Sequence, residues 1–187
     1  NLLKKLNFPL AIPSANISTK ISPISALDVI DEFGKNINFV LDGGRSKIGL
    51  ESTVINLYGN IKIMRPGAIS KKAIGKTLGK NVSISKKTNK LNSPGLLKRH
   101  YSPGIPIRLN CKKADNKAAF IVFGKKYKGG KYIFNLSPRG NLKEAGKNLY
   151  KILRKVKNLN FKKINVVKIP NQGIGIAIND RLRKAAY

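Results

Sequence analysis

The chain has 187 residues, 41% of them apolar, with one cysteine, one histidine, no tryptophan and a formal charge of +30. That apolar share excludes wholesale disorder, while a lone Cys111 and a lone His100 exclude a disulfide framework, a thiolate cluster and a histidine-built metal centre. No apolar stretch reaches the roughly 20 residues of a membrane span and the first eight residues carry no signal-peptide pattern, so the cytoplasm, with no membrane partner, is the expected compartment.

In chain order, Leu6–Ile12 is apolar and stops at Pro13, which reads as the end of a strand running into a loop. Ser22-Pro23 opens a helical stretch, Ser25–Phe33, with Ala26, Val29, Ile30 and Phe33 on one face and Gly34 as its stop. Ile37–Leu41 is expected as a short buried strand ending at Asp42-Gly43-Gly44, and Thr53–Tyr58 as a second. Across the turn Tyr58–Ile61, Ile61–Met64 is expected to pair back as a hairpin ending at Arg65-Pro66-Gly67, before a helix over Ile69–Leu78.

Asn81–Asn92 is rich in Ser, Lys and Asn and has little periodicity, and Ser93–Pro106 carries three prolines. The first marks a boundary and the second an extended linker. The pattern then restarts with strands at Ala118–Phe123 and Lys131–Leu136. A helix follows at Leu142–Val156, then a buried strand at Ile164–Ile169 and a closing helix at Ile174–Ala186. Strands alternating with helices predict an α/β layer.

Four short motifs sit at the ends of apolar segments in the first third: Pro-Ser-Ala-Asn (Pro13–Asn16), Leu-Asp-Gly-Gly (Leu41–Gly44), Glu-Ser-Thr-Val (Glu51–Val54) and Arg-Pro-Gly (Arg65–Gly67). At such places hydroxyls, amides and backbone donors face an anionic ligand, and a guanidinium fork before Pro-Gly suits a phosphate. Taken singly, Pro-Ser-Ala-Asn reads as a self-capped turn and Ser22 as a helix cap. Gly75-Lys76-Thr77 lacks the earlier glycine of a phosphate-binding loop, where Ser70 stands, and reads as exposed basic helix. Gly173-Ile174-Gly175 reads as a tight turn.

The four motifs and the later Ser93–Pro103 segment, in this order and spacing, closely resemble the threonylcarbamoyladenylate synthases in their longer two-domain form. The resemblance implies three parts. Residues 1–85 would be the C-terminal half of a twisted α/β nucleotide-binding domain of the YrdC type, and 86–110 an interdomain linker folding over the active site. Residues 111–187 would be a small Rossmann-like α/β C-terminal domain, with Asp180-Arg181-Leu182 near its end. It also implies the reaction of L-threonine, bicarbonate and ATP to threonylcarbamoyl-AMP and pyrophosphate, with Mg²⁺ riding on the phosphates. The product passes to a tRNA-modifying transferase complex.

Carried over residue by residue, Ser14, Asn16, Ser22 and Arg65 match the family's ATP contacts. Ser52 matches a threonine contact, the backbone around Ile12 lies where threonine is held, and His100 and Tyr101 close over the nucleotide. For His100 the alternative is a partly exposed linker residue packed against Tyr101. The linker carrying this pair is expected to gate the site. Family members also carry a comparable length upstream, with a lysine and an arginine that grip the triphosphate. The chain by itself is therefore expected to be inactive or poorly folded.

Rivals from other classes are a basic RNA-binding module and a domain that senses nucleotide without turnover. The charge supports weak RNA binding. The lysines are dispersed, however, and the abundance of Asn and Ile alongside them points to AT-rich coding rather than a polyanion site. Phe39, Phe123 and Phe134 lie in expected strands, more as core than as a stacking platform for bases.

Overall fold

The periodicity of the second half sets its framework. In a computed structural model that describes residues 2–85, 100–115, 117–127 and 129–187, four parallel strands stand in the order β4-β7-β5-β6. They are β4 (Ile107–Arg108), β5 (Ala119–Val122), β6 (Ile133–Asn135) and β7 (Ile164–Val166). Every residue of β5 and β7 is buried, as expected of parallel strands covered on both faces.

Helix α3 (Leu142–Asn158) begins where the Asn141 side chain accepts from the amides of Lys143 and Glu144. It lays Ala145, Leu149, Leu153 and Val156 on the sheet. Helix α4 (Gly175–Ala185) adds Ile178, Leu182 and Ala185 to the same core.

The first half carries a smaller sheet, β1-β2-β3: β1 (Val54–Asn56) and β2 (Lys62–Arg65) are antiparallel, and β3 (Ser83–Ile84) runs parallel to β2. Helix α1 (Ala26–Phe33) starts at a capping box in which Ser25 and Asp28 satisfy each other's backbone amides. Helix α2 (Lys71–Leu78) is capped by Ser70 and ends at Gly79, a left-handed residue. Ile63, Ile74 and Val82 form a small core of their own. By contrast Ile21, Ile24 and Tyr101 are buried in the large core beside α3 and α4, so the segment before α1 is strapped onto the second sheet. The Thr19 carbonyl accepts from the Ser102 amide and the Ile21 carbonyl from Arg154, at 3.0 and 2.7 Å.

Several expectations need correction. Leu6–Ile12 and Ile37–Leu41 are not strands. A strand exists through its ladder, and neither segment has a bonded neighbour among the described residues. Phe39 is therefore not core but 78% exposed. The helix cap is Ser25, not Ser22. Two short strands fell where no structure was expected: β3, within the aperiodic stretch, and β4, directly after Pro106. Residues 86–99, which hold the remainder of that stretch and the first half of the expected linker segment, lie outside the described residues. Gly75-Lys76-Thr77 lies in α2, and Gly173 turns with φ +51° ahead of α4.

Candidate active site

The Glu-Ser-Thr and Arg-Pro-Gly motifs sit side by side because β1 and β2 form an antiparallel pair, with Val54 opposite Arg65. Their backbones touch: a Cβ added to Gly67 would collide with the Thr53 nitrogen and lie 2.6 Å from the Ser52 carbonyl carbon. Only glycine fits there. Arg65 is buried, and its guanidinium donates to the Ser52 carbonyl at 3.1 Å and to Ser52 Oγ at 3.2 Å. The expected phosphate contact and the expected threonine contact thus form one unit.

Next to Ser52, the Glu51 carboxylate gathers groups from three parts of the chain. Ser22 Oγ donates to Oε1 at 2.6 Å, Tyr150 of α3 donates to both oxygens at 2.9 Å, and Arg181 Nε of α4 donates to Oε2 at 2.7 Å. Burial by itself would raise the carboxyl pKa, but the Arg181 charge and the Ser22 and Arg181 hydrogen bonds outweigh it and hold it below the ordinary carboxylate range. The guanidinium remains charged, its pKa raised by Glu51 against the effect of burial.

His100 and Tyr101 complete the cluster. Their rings meet at 4.0 Å, tilted by 53°. Tyr101 is almost fully buried, stacks on Tyr150 at 6.0 Å and lies 5.1 Å from the Arg181 guanidinium carbon. His100 is tied to α4 by its amide, which donates to the Lys184 carbonyl at 3.1 Å. Burial, then the Lys184, Arg181 and Arg65 charges, lower the His100 pKa, with Glu51 opposing. Burial raises the Tyr101 phenol. His100 Nδ1 and Tyr101 Oη are both buried and have no hydrogen-bond partner among the described residues.

The other expected contacts lie elsewhere. Ile12 is 74% exposed and Ser14 is exposed on the loop after Pro13. Asn16 closes that loop on itself: its amide donates to the Ser14 carbonyl, and its side chain donates to the Ile17 carbonyl at 2.9 Å. The structure thus brings Ser22, Ser52, Arg65, His100 and Tyr101 around one cluster and leaves Ile12, Ser14 and Asn16 on a separate loop. Sequence reasoning missed Glu51, Tyr150 and Arg181 as members. Glu51 and Arg181 both stood in quoted motifs, yet nothing in the sequence pairs residues 130 apart. Among the described residues no group of three or more His, Cys, Asp or Glu side chains could hold a metal ion, and no helix is long and apolar enough to cross a membrane.

The α/β framework thus gathers hydroxyls, two guanidinium groups and an aromatic pair around the Glu51 carboxylate at the entry to the β1-β2 hairpin. The family model for the C-terminal domain of threonylcarbamoyl-AMP synthase matches residues 69–187, and a second model, described as "Telomere recombination", matches residues 1–67. The chain belongs to the threonylcarbamoyl-AMP synthase family.

Among curated relatives, the threonylcarbamoyl-AMP synthase of Pyrococcus abyssi is 33% identical over 95% of this chain and 58% of its own length. That of Bacillus subtilis is 30% identical over 99% and 59%. The chain thus spans under three fifths of these relatives. The crystal structure of P. abyssi Sua5 complexed with L-threonine superposes with a TM-score of 0.79 at 30% identity, covering 93% of this chain and 56% of that one.

Proposed function

We propose that this chain supplies part of a threonylcarbamoyl-AMP synthase. The enzyme would condense L-threonine, bicarbonate and ATP to threonylcarbamoyl-AMP and pyrophosphate, for modification of tRNA to threonylcarbamoyladenosine. The observation that carries the reading is similarity to such synthases over nearly the whole chain, with Ser52, Arg65, His100 and Tyr101 drawn into one cluster.

In this reading residues 1–85 are the second half of a YrdC-type catalytic domain, 86–110 the linker and 111–187 a Rossmann-like C-terminal domain. Ser14, Asn16, Ser22, Arg65, His100 and Tyr101 serve ATP; Ser52 and the backbone at Ile12 serve threonine. The threonine amine and bicarbonate give a carbamate with loss of water, and the carbamate oxygen attacks the α-phosphorus in line as pyrophosphate leaves. Catalysis is then positioning and charge neutralisation, and no side-chain nucleophile is required.

Arg65 suits the phosphate role because Ser52 already fixes its fork. The unpartnered His100 Nδ1 and Tyr101 Oη suit closure over a polar ligand. Mg²⁺ enters with the ATP phosphates as part of the substrate. The product goes to a tRNA-modifying transferase.

The test uses the protein as its gene encodes it. Pyrophosphate release that requires both threonine and bicarbonate is the expected result. ATP binding without release points instead to a nucleotide sensor. RNA affinity that survives a rise in salt points to an RNA-binding module, since non-specific lysine contacts weaken steeply between about 50 and 200 mM salt.

A further inference from the structure

The Arg181 side chain is fully buried, and its guanidinium reaches out of α4 to the two strand-end turns at once. Nε donates to the Glu51 carboxylate at 2.7 Å, one terminal nitrogen donates to the Pro66 carbonyl at 2.8 Å, and the other to the Glu51 carbonyl at 3.4 Å. Glu51 is the chain neighbour of Ser52, and Pro66 is the chain neighbour of Arg65. Both of these acceptor residues, Glu51 and Pro66, are thus one residue from a member of the Ser52–Arg65 unit.

The arginine itself is fixed from behind. Its nitrogen facing Pro66 also donates to Asp180 at 2.8 Å, and Asp180 accepts from Lys184 at 2.8 Å, one turn further along α4. The Tyr101 ring lies 5.1 Å from the guanidinium carbon. A planar fork engaged on four sides holds angles as well as distances, which a lysine ammonium does not.

We propose that Arg181 is a positioning residue for the synthase reaction: from the second sheet's closing helix it clamps the Glu-Ser-Thr turn to the Arg-Pro-Gly turn, so that Ser52 presents threonine and Arg65 presents ATP in a fixed relation. This rests on the functional reading above. Arg181 touches no reacting atom in it and acts through Glu51 and Pro66. A small displacement of the two turns matters because misplacing a positioned group by about 1 Å can cost about 10²-fold in rate.

The test compares wild type, Arg181→Met and Arg181→Lys in the protein as its gene encodes it. Pyrophosphate release is measured against threonine and ATP, with the folded fraction fixed by circular dichroism. Arg181→Met is expected to lower kcat/KM by about 10²-fold in the folded fraction, with KM for threonine and ATP raised. Added guanidinium ion should restore part of it, and Arg181→Lys, which can reach one acceptor but not both, should fall between.

A merely structural arginine predicts a lower melting temperature with unchanged KM and kcat in the folded fraction, and that result overturns the proposal. Should wild type itself release no pyrophosphate, the functional reading fails separately. The clamp is then judged by hydrogen exchange at Ser52, Thr53 and Gly67. Faster exchange confined to these amides in Arg181→Met upholds the clamp, and unchanged exchange removes it.

Discussion

The Tyr150 hydroxyl lies 2.9 Å from each oxygen of the Glu51 carboxylate, joining the middle of α3 to a strand end 99 residues earlier. With Ser22 and Arg181 on the same group, a carboxylate at the join of the two sheets is held ionised although it is largely buried.

Acid should therefore loosen this join. Because the Glu51 pKa is lower folded than unfolded, its contribution is complete above the unfolded value of about 4.3 and is lost as pH falls through the folded value. Glu51→Gln leaves the buried Arg181 with only the Asp180 carboxylate, which Lys184 shares, and should cost about 3 kcal/mol at neutral pH, the low end for breaking a buried pair. Urea midpoints should show that gap closing as pH drops below 4.3 or so; a gap that stays constant with pH contradicts this account.

His100 is the only histidine, so its imidazole signals in an NMR spectrum need no assignment. Burial and the Lys184, Arg181 and Arg65 charges place its titration below the ordinary histidine value, about 6.5. Glu51 opposes that shift, so Glu51→Gln should lower the midpoint further. A midpoint at or above the ordinary value would show an exposed ring.

Gly67→Ala forces a methyl into the Ser52–Thr53 backbone. No flexible side chain can yield there, so a loss of about 1–3 kcal/mol is expected. The effect on pyrophosphate release should exceed what the folded fraction explains, as the Ser52–Arg65 unit is pushed apart. Thermal unfolding and steady-state rates on the same sample separate the two.

The two halves should respond differently to truncation of large side chains. Leu149→Ala empties a fully buried site on α3 and should cost about 2–5 kcal/mol. Phe39→Ala, at a side chain 78% exposed, should change the urea midpoint little. A large loss at Phe39 would mean that something covers it in solution.

The second half was nearly all legible in the sequence. Leu142, Ala145, Leu149, Leu153 and Val156 repeat at helical spacing, and α3 runs from Leu142. The runs Ala118–Phe123 and Ile164–Ile169 are apolar enough to be read as buried strands without knowing their partners. The first half was less legible because its apolar runs need partners from elsewhere. Ile37–Leu41 has the composition of a strand but not the ladder. Of the site, the strand-end motifs were visible as types and spacings. What joins them was not, since Arg181 reads as an ordinary helical arginine until α4 is packed against the hairpin.

The small core under β1-β2-β3 has a kinetic meaning. Ile63, Ile74 and Val82 are its fully buried members among the described residues, whereas the strap carrying Ile21 and Ile24 shares the large core of the second sheet. Sub-global opening should then follow an order, with the β1-β2-β3 hairpin region exchanging its amides first while the strap stays shut with α3 and α4. Of the residues that would meet the substrates, Ser52 and Arg65 sit on the early-opening side of that divide, whereas Ser22 and Tyr101 sit with the clamp residue Arg181 on the late side. Ligand binding at the hairpin would therefore register mainly as a slowing of its own local opening, with little change in global unfolding.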